Sequence, residues 1–199
     1  MRKIILFMHI SLNGIVAGPN GSLDWANMSE DSIGGYMIPD LLKTTDALLL
    51  GRNLYEGFQQ YWPAVAKDST QPAGMVEFAR WMDDAPKFVV SSQPRTLDWQ
   101  HSILIVAKSD DDLTREINAL KQTTGGDIVI FGGARLSQSL ARLDLVDEYR
   151  LKLEAAAVGG GVPLFDDLGS TRKFKLIKSK AFDPGVVMLY YEPLTLTMK

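Results

Sequence analysis

Cysteine is absent from the 199 residues, which excludes a disulfide framework, a thiolate metal site and a cysteine nucleophile. Histidine is scarce as well: His9 and His101 are the only two, too few for a histidine-rich metal cluster, so no metal ligands are expected. Long apolar runs are missing. The stretch Ile4 to Met8 follows Arg2-Lys3 much as a signal peptide would, but it meets His9 and Ser11 too early for a signal or a membrane span. There is no excess of basic charge either. A formal net charge of −3 gives no field suited to nucleic acid. These absences predict a soluble cytoplasmic protein whose partners are small molecules or a second copy of the chain.

What is present is ordinary globular material, with 46% hydrophobic and 23% charged residues, enough to bury a continuous core as one domain over residues 1–199. The most informative stretch runs from Gly125 to Leu140. Gly125-Gly126 precedes Asp127-Ile128-Val129-Ile130-Phe131, and Gly132-Gly133 follows it, before Leu136, Leu140 and Leu143 recur at helical spacing. That describes a buried strand turning sharply into a helix. Glycines allow close backbone approach, and the opening N–H groups of a helix favour an anion. The order is neither G-x-G-x-x-G nor a P-loop, and a glycine pair also serves as plain turn chemistry.

Along the chain, strands are predicted over Lys3–Ile10, Asp46–Leu50, Lys87–Val90, Ser102–Ala107 and Glu148–Glu154, with a final hairpin of Phe174–Ala181 and Val186–Glu192 turning at Asp183-Pro184-Gly185. Helical patterns start near Ser29, Asn53, Met75 and Asp111. Ser11 to Trp25 reads as a long loop, Pro63 to Pro72 as irregular, and Gly34-Gly35 with Pro39 should weaken or kink the first helix. Between Glu148 and Glu154, Tyr149, Leu151 and Leu153 alternate with Arg150, Lys152 and Glu154, as in a strand with one apolar and one polar face. The fold class is α/β: a three-layer αβα sandwich with a mostly parallel central sheet and an antiparallel C-terminal edge hairpin.

Three strand ends carry residues suited to phosphate: Gly51-Arg52-Asn53, Ser91-Ser92-Gln93 and Gly132-Gly133-Ala134-Arg135. Ligands of open α/β sheets collect beyond the carboxyl ends of strands, where all three fall. Arg52 can fork onto a phosphate, and the Ser91 and Ser92 hydroxyls can donate to one. A solvated charge at Arg52, a simple turn at Ser91-Ser92-Gln93-Pro94 and a surface role for Arg135 are the plainer readings.

These residues carry a resemblance. Lys87 to Pro94, Ile128 to Leu136 and Gly51-Arg52 with Tyr55-Glu56 resemble the dihydrofolate reductase superfamily. With Ser11-Leu12-Asn13-Gly14, Leu145-Val146-Asp147-Glu148 and Gly159-Gly160-Gly161-Val162-Pro163-Leu164-Phe165, the chain is similar to the RibD C-terminal-domain family, from Lys3 to about Glu192. The resemblance implies a dihydrofolate-reductase-like fold, a homodimer and an NADPH site. In that site Arg52, beside Gly51 and Asn53, meets the adenosine-side phosphates, and Ser91, Ser92 and Gln93 lie near the 2′-phosphate. Gly132, Gly133, Ala134 and Arg135 wrap the pyrophosphate, with Phe131 and Leu136 as further cofactor-side residues. His9, Val16 and Ala17 complete the cofactor side, His9 through its backbone, with its side chain read as packing.

The implied activity is hydride transfer to a small heterocyclic or carbonyl acceptor, like the 5-amino-6-(5-phosphoribosylamino)uracil reductase of riboflavin biosynthesis. Alternatives are a dihydrofolate reductase and a non-catalytic NADPH-binding protein. Dihydrofolate reductases carry a carboxylate on the first helix; the aligned position here is near Gly35, with Tyr36 beside it and Asp31 about a turn away, so Tyr36 and Asp31 are the proton-donor candidates. Phe7, Trp25, Tyr55 and Lys152 are the candidates for the acceptor side. Trp25 can close over a ligand or serve in the core, and Lys152 can bind an acidic substrate or sit on a solvated edge.

Overall fold

A computed structural model describes residues 1–194. The longer strands are β1 (Ile4–Ser11), β3 (Thr45–Gly51), β4 (Lys87–Ser91), β5 (Ser102–Val106), β6 (Asp127–Phe131), β7 (Glu148–Glu154), β9 (Phe174–Phe182) and β10 (Val186–Pro193), in the sheet order β5-β4-β3-β6-β1-β7-β10-β9. The short β2 (Ile15–Ala17) and β8 (Val162–Pro163) pair separately. Helices are α1 (Ile38–Leu42), α2 (Arg52–Val65), α3 (Ala73–Asp84), α4 (Asp110–Lys121) and α5 (Ala134–Arg142). The α/β class with a mostly parallel sheet and an antiparallel C-terminal hairpin is as the sequence predicts. The expected single domain reaches past the described residues at 195–199. By its contacts the chain forms two compact units, Met1–Arg2 with Met28–Val129, and Lys3–Asn27 with the chain from Ile130 onward.

In the first unit, β3, β4 and β5 run parallel, with Leu50 opposite Val89 and Gly51 opposite Val90. Ala47, Leu48, Leu49 and Leu50 are wholly buried, because a parallel strand is covered on both faces and needs no polar side. The register sets Arg52 and Ser91 at neighbouring carboxyl ends. Ser109 caps α4 by accepting the Asp112 N–H, with Asp110, Asp111 and Asp112 complementing the helix dipole. Pro63 lies inside α2 rather than opening an irregular segment; it stands in the last turn, so the helix ends shortly after it.

Before α1 the chain makes a π-helical turn, Ile33–Met37, with i to i−5 bonds from Gly35 N–H to Glu30 O (2.8 Å) and Met37 N–H to Ser32 O (3.1 Å). The kink predicted at Gly34-Gly35 thus takes the form of a widened turn. Gly34 lies over the Glu30 carboxylate, where an added Cβ would come within 2.1 Å of Oε1.

In the second unit, β1 and β7 are parallel, while β10 pairs antiparallel with β7 and β9. Ile4, Ile5, Leu6, Leu140 and Met188 are wholly buried. The predicted loop from Ser11 to Trp25 contains β2 and a 3-10 turn at Pro19–Gly21. A three-residue strand is too short for a period to show in sequence. Its partner strand comes from the glycine triplet, and the two motifs are tied together. The Asn13 amide donates to Val158 O (2.8 Å) and accepts the Val158 N–H (3.0 Å), and Leu164 N–H donates to Gly14 O (3.0 Å). An aspartate at 13 could not make that first bond, since an ionised carboxylate has nothing to donate.

Candidate functional site

The second unit holds the densest group of functional side chains, and it grows from the pairing of β1 with β7. The register sets His9 opposite Lys152 and Ser11 opposite Glu154. Lys152 and Glu154, two residues apart, project to the same face. That face is sealed: Lys152 is 0% and Glu154 1% exposed. Lys152 Nζ donates to Glu154 Oε1 (2.8 Å) and to Asn27 O. Glu154 Oε1 also bonds His9 Nδ1 at 2.7 Å, and Oε2 accepts the Asn27 N–H at 3.0 Å. Burial alone would push the Glu154 carboxyl up. The bonds from His9, Lys152 and Asn27, with the lysine charge, prevail and hold it below its ordinary value.

This corrects two sequence expectations. Lys152 does not line a solvated edge, because β7 lies between β1 and β10, and its polar face is an internal ion network. Nor does the His9 side chain act only as packing. Glu154, the centre of the network, was not among the predicted residues; its alternation with Lys152 was visible, but the strand's burial on both faces was not. Asn27 contributes only backbone atoms to these bonds, which no residue pattern marks.

Beside the network, Phe7 packs against His9 (ring centroids 5.6 Å apart) and Phe131 (5.2 Å). Gly132 N–H donates to Phe7 O (3.3 Å), fixing the glycine turn against β1. Gly132 and Gly133 both adopt left-handed backbone (φ 66° and 74°), a conformation only glycine takes without strain. Gly133 is the N-cap of α5 and gives it no side-chain cap, so the opening N–H groups of that helix have no side-chain acceptor and stay suited to an anion. Ala134 lies in the first turn, Arg135 is exposed, and Leu136 is buried. Val16 is buried and Ala17 half-buried in β2. Trp25, half-buried, donates its indole N–H to Ser22 O (3.2 Å).

The first unit holds the remaining candidates. Arg52 is exposed at the start of α2, its Nε donating to Asn53 Oδ1 (3.1 Å), and the rest of the guanidinium is open to a ligand. The Ser91 hydroxyl is spent locally: it donates to Gln93 O (2.8 Å) and accepts the Gln93 N–H (3.2 Å). Ser92 and Gln93 are both exposed. Tyr55 is a core residue, 1% exposed, its hydroxyl accepting the Trp99 N–H (2.9 Å), so it has no surface for a substrate. Tyr36 sits half-buried on the π-helical turn, and Asp31 is exposed just before it. Among the described residues no group of acidic or histidine side chains is placed to hold a metal ion.

Residues 2–188 match the RibD C-terminal domain. The chain is 33% identical over 190 residues to YyaP, an uncharacterized protein of Bacillus subtilis (strain 168), with 96% of this chain and 94% of YyaP covered. A provisionally assigned riboflavin biosynthesis protein of Shewanella sp. PV-4 is 25% identical with a TM-score of 0.67, covering 97% of this chain and 99% of that one. Dihydrofolate reductase from Enterococcus faecalis, in complex with NADP(H), shares the fold at a TM-score of 0.55 and 15% identity, covering 96% of each chain. The chain belongs to the RibD C-terminal domain family and has its dihydrofolate-reductase-like fold.

Proposed function

We propose that this protein is an NADPH-dependent reductase that passes hydride to a small heterocyclic or carbonyl acceptor. The observation that carries the reading is the Gly132-Gly133 turn, held in left-handed backbone against β1, the strand that carries His9, and opening an uncapped α5. The donor chemistry of each unit, taken by itself, suits phosphate oxygens. In the second unit, the N–H groups of Gly133, Ala134 and Arg135 suit a pyrophosphate. In the first unit, Arg52, Ser92 and Gln93 offer a guanidinium, a hydroxyl and an amide to further phosphate oxygens. Membership in a family of NADPH-using reductases supports the same cofactor. Bound NADPH would supply the hydride; the protein's part is to position, exclude water and provide a proton.

The acceptor class we favour is a pyrimidine, after the uracil reductase of riboflavin biosynthesis. The test is a screen of NADPH oxidation against pyrimidine, pterin and simple carbonyl compounds. Consumption with a pyrimidine supports the reading. Methotrexate-sensitive turnover of dihydrofolate would replace it with folate reduction, and tight NADPH binding without oxidation by any acceptor would leave a non-catalytic binder. The reading includes a homodimer: β9 is a nine-residue edge strand with Leu176 and Ile177 about half exposed, an edge of the kind that pairs with a second copy. Light scattering of the purified protein reads its mass directly.

A further inference from the structure

We propose that His9 is the proton donor of this reductase, with Glu154 and Lys152 as positioning residues that aim its Nε2 at the acceptor atom gaining a proton; this rests on the reductase reading above. The geometry is a directed chain. Lys152 and Glu154 are closed to solvent, whereas the His9 side chain is 15% exposed, so the imidazole is the end of the network that a ligand can reach. Glu154 is held ionised by its bonds to His9, Lys152 and the Asn27 N–H. An ionised carboxylate only accepts, so the proton in the 2.7 Å contact belongs to His9 Nδ1.

That choice fixes the other nitrogen. The neutral ring presents a lone pair at Nε2, and the protonated ring presents an N–H there. Among the described residues Nε2 has no hydrogen-bond partner. The charged group bonded to the imidazole within this unit is Glu154, and Lys152 is bonded to the same carboxylate oxygen, both from β7; Phe7 packs on the ring. The arrangement parallels the buried carboxylate that fixes tautomer and direction of a catalytic histidine in hydrolases. It also stands beside the glycine turn, since Phe7 receives the Gly132 N–H and touches both His9 and Phe131.

The step balances. As the carbon of a C=O or C=N bond receives hydride from NADPH, the π pair passes to the heteroatom, which takes the proton from His9 Nε2. The acceptor gains a hydride, which bound NADPH would supply on oxidation to NADP+, and one proton from His9, and the imidazole regains a proton from the acid of the solvent at its exposed edge. Neither Tyr36 nor Asp31 is then required as the donor.

The test is 15N NMR of histidine-labelled protein. With two histidines in the chain, His101→Asn leaves a single signal set; His101 has φ 58°, a conformation asparagine tolerates. At a pH where the ring is neutral, His9 is expected to carry its proton on Nδ1, and saturating NADP+ should shift Nε2 more than Nδ1. A proton on Nε2 instead, or an Nε2 signal indifferent to bound NADP+, overturns the proposal. Failure of NADP+ to bind at all, read independently from tryptophan quenching, overturns the reductase reading together with it. With an acceptor from the screen, His9→Gln should lower kcat by about 10²- to 10⁴-fold at unchanged NADPH affinity; wild-type kcat in that variant contradicts a donor role.

Discussion

Lys152 and Glu154 show how much one residue's setting alters its meaning. A lysine on an exposed strand contributes little, but a buried one bonded to a buried carboxylate cannot lose its partner cheaply. Lys152→Met should therefore cost about 3–5 kcal/mol, the range for breaking a buried pair, measured by urea denaturation; a loss below 1 kcal/mol would contradict the network. Because the folded state holds the Glu154 carboxyl below its ordinary 4.5, its stabilisation is complete above that value and declines as pH falls through the lower folded value. Urea midpoints in acid should fall less steeply in Glu154→Gln than in the natural chain. Lys87 gives the opposite end of the pH scale. Its ammonium donates to Asp83 O (2.7 Å), Ala85 O (2.8 Å) and Gln100 O (3.2 Å) and lies 4.3 Å from the Trp99 ring centroid. Burial still pushes its pKa down to about 8, against the raising influence of Asp83 and Asp84. The unfolded chain then binds more protons between about 8 and the ordinary 10.5, so this residue's contribution to stability rises across that window. Lys87→Met should remove that rise from the pH dependence of the urea midpoint.

At the scale of elements, the glycine motifs divide into those with a structural duty and those without. Gly161, with φ +133°, lies where an added Cβ would meet Ala17 O at 2.1 Å and the Gly18 Cα at 2.9 Å, so the backbone itself blocks a side chain between β2 and β8. Gly159 has nothing within 4 Å of an added Cβ. Gly161→Ala should lower the thermal midpoint by an amount equivalent to at least about 1–3 kcal/mol of backbone strain, while Gly159→Ala stays near the natural value. Equal effects would contradict the packing of β2 on the glycine triplet. The triplet was legible in the sequence as a family motif, and the strands β1, β3, β4, β6 and β7 through runs such as Ala47-Leu48-Leu49-Leu50. The pairing of β2 with β8 was not, because a contact between segments so far apart leaves no local period. The same holds for the site: Gly132-Gly133 announced itself by composition, whereas Glu154 depended on which strands flank β7, and the spent hydroxyl of Ser91 depended on a turn only coordinates reveal.

For the whole molecule, the family is that of the RibD C-terminal domain and the sheet order fits its fold; the reductase is the account proposed on that basis. Among the described residues no helix is long and apolar enough to cross a membrane. The central claim is the cofactor, and quenching of the four tryptophans on titration with NADPH and NADH tests it most directly, in the natural chain and in Arg52→Ala. The account predicts saturable binding that favours NADPH and weakens about tenfold or more in the variant, the worth of one charge-assisted hydrogen bond. No saturable binding of either nucleotide, or equal affinity for both that Arg52→Ala leaves unchanged, would contradict it.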